Sequence, residues 1–226
     1  MKENKDVVAY YDELAPNYDA SRFSGSYGNF IHKQEQNILK HFLPTDARVV
    51  VDLACGTGRL SDYATICVDA SEQMLKQAQS KHKEKQFIVA PAHDIPLASE
   101  TCDAIFSFHL IMHLEPEYVK ELISEAYRLL RPGGCLIFDF PSQLRRGMSR
   151  RNIGGWHGNT TFTLADIPEL LPSGMKISTS SGIMLSPVHA LPSWLRKAVL
   201  PVDTFLCRTW LKNYASYIAV KIVKSC

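Results

Sequence analysis

The spacing of apolar positions along this chain is helical over the first forty residues and becomes strand-like near residue 49. Over residues 6–14, Val7, Val8, Tyr10, Tyr11 and Leu14 recur at helical intervals and predict a short amphipathic helix stopped near Pro16. A second helix is predicted from Tyr27 to Phe42, with Phe30, Ile31, Gln34, Ile38, Leu39 and Phe42 on one side and Pro44 closing it. The stretch between them, NYDASRFSGSYG, is polar, aromatic and glycine-bearing, and reads as a loop. Val49-Val50-Val51 then forms a β-branched run of the kind buried on both faces of a parallel sheet. TICVD (65–69), QFIVA (86–90), DAIFSF (103–108) and CLIFDF (135–140) read as four further strands. A helix to about Lys81 begins at Asp69-Ala70-Ser71, with Ser71 as N-cap and Glu72 in the first turn. After the fourth strand, Val119, Leu122, Ile123, Ala126, Leu129 and Leu130 mark the apolar face of another helix, ended by Pro132-Gly133-Gly134.

Past Pro141 the pattern loosens. QLRRGMSRRNIGGWHGNTTFT has no hydrophobic period and predicts a long loop over the carboxyl edge of the sheet. Thr163 to Leu171 predicts a helix broken near Pro168, MKISTSSGIML a strand with Gly182 as a bulge, LPSWLRKAVLPVDTFL a partly helical apolar stretch, and YASYIAVKIVK a final strand. Alternating strands and helices predict an α/β, doubly wound sheet with five parallel strands and a late antiparallel pair at its edge. One domain over 1–226 is expected: a helical cap at 1–45, a core at 46–142, and a lid loop with late strands at 143–226. Only ten residues lie between Gly58 and Asp69, so RLSDYA predicts a stunted first crossover helix. One face of the sheet would then be partly uncovered or filled by another segment.

Composition changes this picture little. The 226 residues are 46% hydrophobic and 21% charged, with a net charge of +2, ordinary for a globular protein that buries a core. That charge argues neither for nor against nucleic acid, and neither nucleic acid nor membrane is expected as a partner. Six cysteines without C-x-x-C or His/Cys ligand spacing imply neither a disulfide framework nor a metal site. The opening MKENKDVVAYYDELAP lacks a signal-type apolar core, and no apolar run reaches spanning length, so a cytoplasmic location is expected.

The candidate chemistry starts where the first strand ends in Asp52 and the turn Ala54-Cys55-Gly56-Thr57-Gly58. Glycines there let a backbone pass close to a ligand, and a helix following the turn would offer N–H groups to a negative group. The second strand ends in another acid, Asp69, thirteen residues after Gly56, which is the layout of a nucleotide-type cofactor site. The turn lacks the third glycine of a dinucleotide fingerprint and the Gly-Lys-Ser/Thr of a P-loop.

DLACGTG resembles the first motif of class I S-adenosylmethionine-dependent methyltransferases, D/E-x-G-x-G-x-G, with Ala54 at the first glycine. YYDELAPNYDASRF resembles the lid helices of the small-molecule members, where Y-D-x-x-A-x-x-Y-D recurs. APAHDIPLASETCDAIFSF, the His-Leu after the fourth strand and the Arg-Pro-Gly-Gly before the fifth follow in the family's order. The resemblance implies a Rossmann-like, mostly parallel seven-stranded sheet with an antiparallel edge strand, and S-adenosyl-L-methionine as cofactor. It implies methyl transfer to a small-molecule acceptor. A methyltransferase-like binding subunit without catalysis is the alternative, and a nicotinamide-dependent oxidoreductase a second one.

By this resemblance Asp52, Ala54, Gly56 and Gly58 lie against the methionine end of the cofactor, and Asp69 accepts from the ribose hydroxyls. Ala70, Ser71 and Met74 line the adenosine side, although Met74 fits core packing equally well, and Ser107 is placed with the cofactor. Tyr11 and Tyr18 cover cofactor and substrate, or anchor a surface helix by their rings. The family's adenine-binding Asp falls on Pro91, leaving His93, Asp94 or the Ala92 N–H for the adenine edge. His109 is the candidate general base or substrate-orienting group, and His113 a substrate-side or structural histidine. Trp156 and His157 stack on the acceptor, or pin the loop. Arg145, Arg146, Arg150 and Arg151 bind an acidic substrate, or form a solvated face.

Overall fold

The structure is a computed structural model that describes residues 2–148 and 160–225. Seven strands form one sheet: β1 (Val50–Leu53), β2 (Ile66–Asp69), β3 (Gln86–Val89), β4 (Cys102–Ser107), β5 (Leu130–Pro141), β6 (Met175–Ile183) and β7 (Tyr217–Lys224). Their order is β3-β2-β1-β4-β5-β7-β6. The first five are parallel, and β7 inserts antiparallel to both β5 and β6, so the late pair forms the antiparallel edge that the sequence predicts. The central strands are buried along their whole length, as their unbroken apolar runs require.

The helices divide between the faces. α1 (Lys2–Leu14), α2 (Tyr18–Arg22) and α3 (Ser26–Phe42) precede the sheet, α4 (Glu72–Lys81) and α5 (Pro116–Leu129) connect its parallel strands, and α6 (Gln143–Gly147) and α7 (Ser193–Leu206) follow. α5 presents Val119, Leu122, Ile123, Ala126 and Leu129 to one face, where they pack with Val51, Ile105 and Leu136. The first crossover contains no α-helix, only a 3-10 turn at Ser61–Tyr63. α3 fills the space, setting Phe30, Ile31, Ile38, Leu39 and Phe42 against Val50, Ala104, Phe106 and Ile137. The stunted crossover is therefore real, and another segment covers the face. A helix N-terminus after the glycine turn, expected from the sequence, is absent.

Several boundaries differ for identifiable reasons. NYDASRFSGSYG is not all loop: α2 occupies its middle, and Gly28 lets α2 and α3 close up. A Cβ on Gly28 would lie 2.3 Å from the Arg22 carbonyl oxygen and 2.6 Å from the Phe23 Cα. The segment after Pro141 opens with α6, capped by Ser142 accepting from the Arg145 N–H. Thr163 to Leu171 is no broken α-helix but a turn and a 3-10 helix at Ile167–Leu170, with Pro168 in its first turn. β5 begins at Leu130, so Pro132-Gly133-Gly134 sits in its irregular first half, and α5 has already ended at Leu129. The bulge in β6 falls between Ile177 and Thr179. Gly182 serves a close approach instead, since a Cβ there would meet the Ala215 Cβ at 2.8 Å.

Gly28→Ala is expected to splay α2 from α3 at a cost of about 1–3 kcal/mol. Limited proteolysis should cut between residues 20 and 28 faster in this variant than in wild type, with the sheet's melting behaviour little changed.

Candidate functional site

The strand order reverses between β1 and β4, and the carboxyl ends of the strands there open into a cavity of about 660 Å³. Such crevices are where open α/β sheets bind ligands. Its floor is Leu53, Ala54, Gly56, Asp69 and Ala70. One wall runs from Val89 to His93, α1 and Tyr18 roof it, and Phe108 to Leu110 with His113 close the far end.

The glycine turn has the geometry its sequence demands. Gly56 takes φ of +55° and Gly58 of +79°, and Ala54, at the position of the motif's first glycine, also sits at +55°. A Cβ in this region is strained by roughly 1–2 kcal/mol. Gly58 turns toward α4, where a Cβ would come 3.0 Å from the Ala78 Cβ, and it is not part of the cavity wall. Its neighbours in the structure are Ala78 and His82 of the α4 end, whereas the sequence expectation placed it at the ligand.

Asp69 holds the floor together. Its Oδ2 accepts from the Gly56 N–H at 2.7 Å, and its Oδ1 from the Ser71 N–H at 2.8 Å. Burial raises its pKa, and the N–H groups of Ser71 and Gly56 oppose that rise. Ser71 caps α4 through the Met74 N–H and donates to Asp12 at 2.5 Å. Asp19 accepts from the Thr57 hydroxyl at 2.6 Å, and Lys81 pairs with it while donating to the Thr57 carbonyl. In the repeated Tyr-Asp pairs the tyrosines thus face the cavity, and the aspartates dock the cap on both cofactor-site turns.

Asp52 does not reach the cavity. It is buried behind the turn, accepts from the Ser61 hydroxyl at 2.7 Å, and is raised to about 8 by burial, the Ser61 bond opposing. Ser107 and Asp94 are also outside the walls, whereas Ala70, Met74, Pro91, Ala92 and His93 line them. Glu125 accepts from the Ile95 N–H at 2.8 Å and Arg128 donates to the Ile95 and Leu97 carbonyls, which fixes the loop carrying His93.

At the far end, His109 adopts φ of +62° and its N–H donates to Asp139 at 2.6 Å. Its Nε2 meets Glu35 at 2.5 Å and its Nδ1 lies 3.5 Å from the Asp139 carboxylate. Burial alone would lower the imidazole's pKa, but Asp139 and Glu35 outweigh it and hold it above the ordinary value. Burial would raise Glu35, yet Arg59 and His109 bring it down to about 2. Arg59 itself bonds Glu35 and His32 and covers the Phe23 ring. Nε2 of His109 is thus engaged by Glu35, while Nδ1 has the more distant Asp139 beside it, so a base role for this ring would compete with two buried carboxylates. His113 bonds the Tyr11 hydroxyl through Nε2 at 3.0 Å, and both line the cavity. Trp156, His157, Arg150 and Arg151 lie outside the described residues.

Residues 51–138 match the methyltransferase domain family. The chain carries a class I S-adenosylmethionine-dependent methyltransferase domain. It is 32% identical over 165 residues to the malonyl-[acyl-carrier protein] O-methyltransferase of Marinomonas sp., covering 67% of this chain and 59% of that one. It is 26% identical over 153 residues to the ubiquinone/menaquinone biosynthesis C-methyltransferase of Campylobacter jejuni, covering 61% and 64%. The chain thus spans about three fifths of these curated methyltransferases. In fold it resembles a methyltransferase of Thermotoga maritima described as a possible histamine N-methyltransferase, at TM-score 0.73 and 19% identity over 96% of this chain and all of that one. The methyltransferase domain accounts for the glycine turn, Asp69 and the His-Leu after β4. Glu35, Arg59, Asp139 and the two cap aspartates were not read as site residues from sequence, though Asp12 and Asp19 sit inside the quoted Y-D repeat.

Two outcomes follow. Ala54→Gly is expected to stabilise the fold by about 0.5–1 kcal/mol, because the left-handed strain outweighs the added chain freedom, and thermal unfolding measures it. For Asp52 the folded pKa of about 8 lies above the unfolded value of 3.8. The native state keeps a proton that the unfolded chain has lost, so this residue's contribution falls as pH rises from about 4 to 8. Asp52→Asn keeps the acceptor for Ser61, and its gain in melting temperature over wild type should be larger at pH 8 than at pH 5. An equal gain at both pH values would mean that Asp52 is ionised in the native state.

Proposed function

We propose that this protein transfers a methyl group from S-adenosylmethionine to a small-molecule acceptor enclosed at the carboxyl ends of β1, β2 and β4. The observation that carries this reading is Asp69, a buried carboxylate on the cavity floor, clamped between the glycine turn and the N-cap of α4. A carboxylate so placed has lone pairs left for a ribose diol. A cavity of about 660 Å³ has room for a nucleoside with an amino-acid tail. Val89, Pro91, Ala92 and Met74 supply flat apolar walls for a base, with His93 at its edge in place of the acid that Pro91 displaces. The whole chain acts as one unit of cap, core and late strands, in the cytoplasm. No helix among the described residues is long and apolar enough to cross a membrane.

The bound cofactor supplies an electrophilic methyl group on a sulfonium, and the chain's residues supply position. Alignment of the acceptor and exclusion of water account for most of the acceleration in such a displacement. Tyr11 and Tyr18, half-buried and edge-to-face at 5.9 Å, close the roof, and desolvation raises both phenols above their ordinary value, further from ionisation at neutral pH. The Tyr11–His113 pair is the polar group on the wall that orients an acceptor. His109 holds its strand-end turn in shape through Glu35 and Asp139 and takes no proton from the acceptor. A nicotinamide cofactor is disfavoured because the position of the third glycine, counted from Gly56 and Gly58, carries Ser61, buried and bonded to Asp52.

Asp69→Asn is expected to weaken S-adenosylhomocysteine binding by about 1.5–3 kcal/mol, read by calorimetry on protein with an unchanged circular dichroism spectrum. Equal affinities for variant and wild type would remove Asp69 from the ligand site and with it the basis of this reading.

A further inference from the structure

α7 is built inside out. Its residue with the least exposure is an acid, Asp203, at 0%, while Trp194, Val202 and Phe205 are 74%, 58% and 68% exposed. The exposed positions Trp194, Lys197, Ala198, Pro201, Val202 and Phe205 follow one helical stripe, and Arg208 continues it. The stripe is not a packing accident that a small roll of the helix would cure. Asp203 accepts from Gln34 of α3 at 2.8 Å and from the Ser186 N–H at 2.6 Å, so the orientation is pinned from within. Next to the helix, Trp210 is 69% exposed and packs edge-on to the exposed Tyr214 at 6.2 Å.

Apart from the buried Asp203, the charged side chains of α7 and the turn after it, Arg196, Lys197, Arg208 and Lys212, have one sign. From Pro172 to Cys226 the chain has seven Lys and Arg and one acid, the buried Asp203. Large exposed apolar side chains among bases, with Trp and Tyr beside them, are what an interfacial helix uses on an anionic bilayer. A second copy is a poor occupant, because a two-fold contact would set this basic face against itself. We infer that α7 and the Trp210–Tyr214 turn form a docking surface for an anionic membrane, with Trp194, Val202 and Phe205 entering the headgroup region and Lys197 and Arg208 meeting its charge. The expectation of no membrane partner rested on the lack of a spanning run, and an interfacial helix needs none.

The test is co-sedimentation of the whole protein with extruded vesicles of phosphatidylcholine, alone or with about 30% phosphatidylglycerol. It reads binding and not methyl transfer, so it stands apart from the function proposed above. Wild type should pellet with the anionic vesicles and bind neutral ones at least about tenfold more weakly. Trp194→Ser/Phe205→Ser should lose at least about tenfold with an unchanged circular dichroism spectrum, as these side chains are exposed. Lys197→Glu/Arg208→Glu should abolish the preference for phosphatidylglycerol. Absence of wild-type binding, or equal binding by the Trp194/Phe205 variant, overturns the proposal. So does a concentration-dependent dimer that the Trp194/Phe205 variant breaks, which would assign the face to a second copy. Tighter binding of polyglutamate than of anionic vesicles through the same residues would assign it to an acidic protein instead.

Discussion

One carboxylate organises the cofactor end of this fold. Asp69 accepts from Gly56 in the turn after β1 and from Ser71 at the start of α4, so two loops that share no sequence are tied to one side chain. Buried acids are costly unless paired, and each N–H supplied here recovers part of that cost. The arrangement is repeated one layer out. Asp12 reaches the Ser71 turn and Asp19 reaches the Thr57 turn, so the N-terminal cap is fastened to the same two loops that Asp69 joins. Floor and roof are thereby positioned by three acids.

The short first crossover has a consequence at the opposite end of the cavity. With only a 3-10 turn after the glycine loop, α3 lies directly on the sheet and brings Glu35, fully buried, to the ends of β4 and β5. Arg59, the first residue past Gly58, turns back to meet it. A full helix in the crossover would occupy the place that α3 takes. The Glu35–His109–Asp139–Arg59 cluster is thus a product of topology. Glu35 is held low and His109 high by the opposite charges beside them, and removing either one would leave a buried charge short of its partner.

Strands, long helices and the motif order were legible in the sequence because they rest on period and on local chemistry. β1, β2 and β4 lie where unbroken apolar runs put them, and Ser71 caps α4 as its position before Glu72 implies. What escaped was tertiary. In the Y-D repeat the aromatic residues drew the functional reading, but the aspartates carry the docking hydrogen bonds. Glu35 sits among apolar residues of α3, an acid on a face otherwise read as core, and only the position of His109 explains it. Asp52 was read as a ligand group from its place in the motif, whereas strand alternation sends its side chain behind the turn to Ser61. Gly182 read as a bulge because a strand glycine usually is one, and the close pass of Ala215 was invisible from sequence.

α3 also links the two ends of the molecule through adjacent residues. Gln34 accepts from the Met184 N–H and donates to Asp203 of α7, while Glu35, the next residue, reaches His109 at the cavity. Successive side chains on a helix point about 100° apart, so one helix holds an outward-facing apolar element on one side and the cavity's far wall on the other. Both contacts are buried and polar, and such contacts are directional in a way that apolar packing is not. α7 therefore cannot rotate or slide without breaking the Gln34 bonds. A surface met by α7 stands in a fixed relation to the end of the cavity that Tyr11 and His113 line.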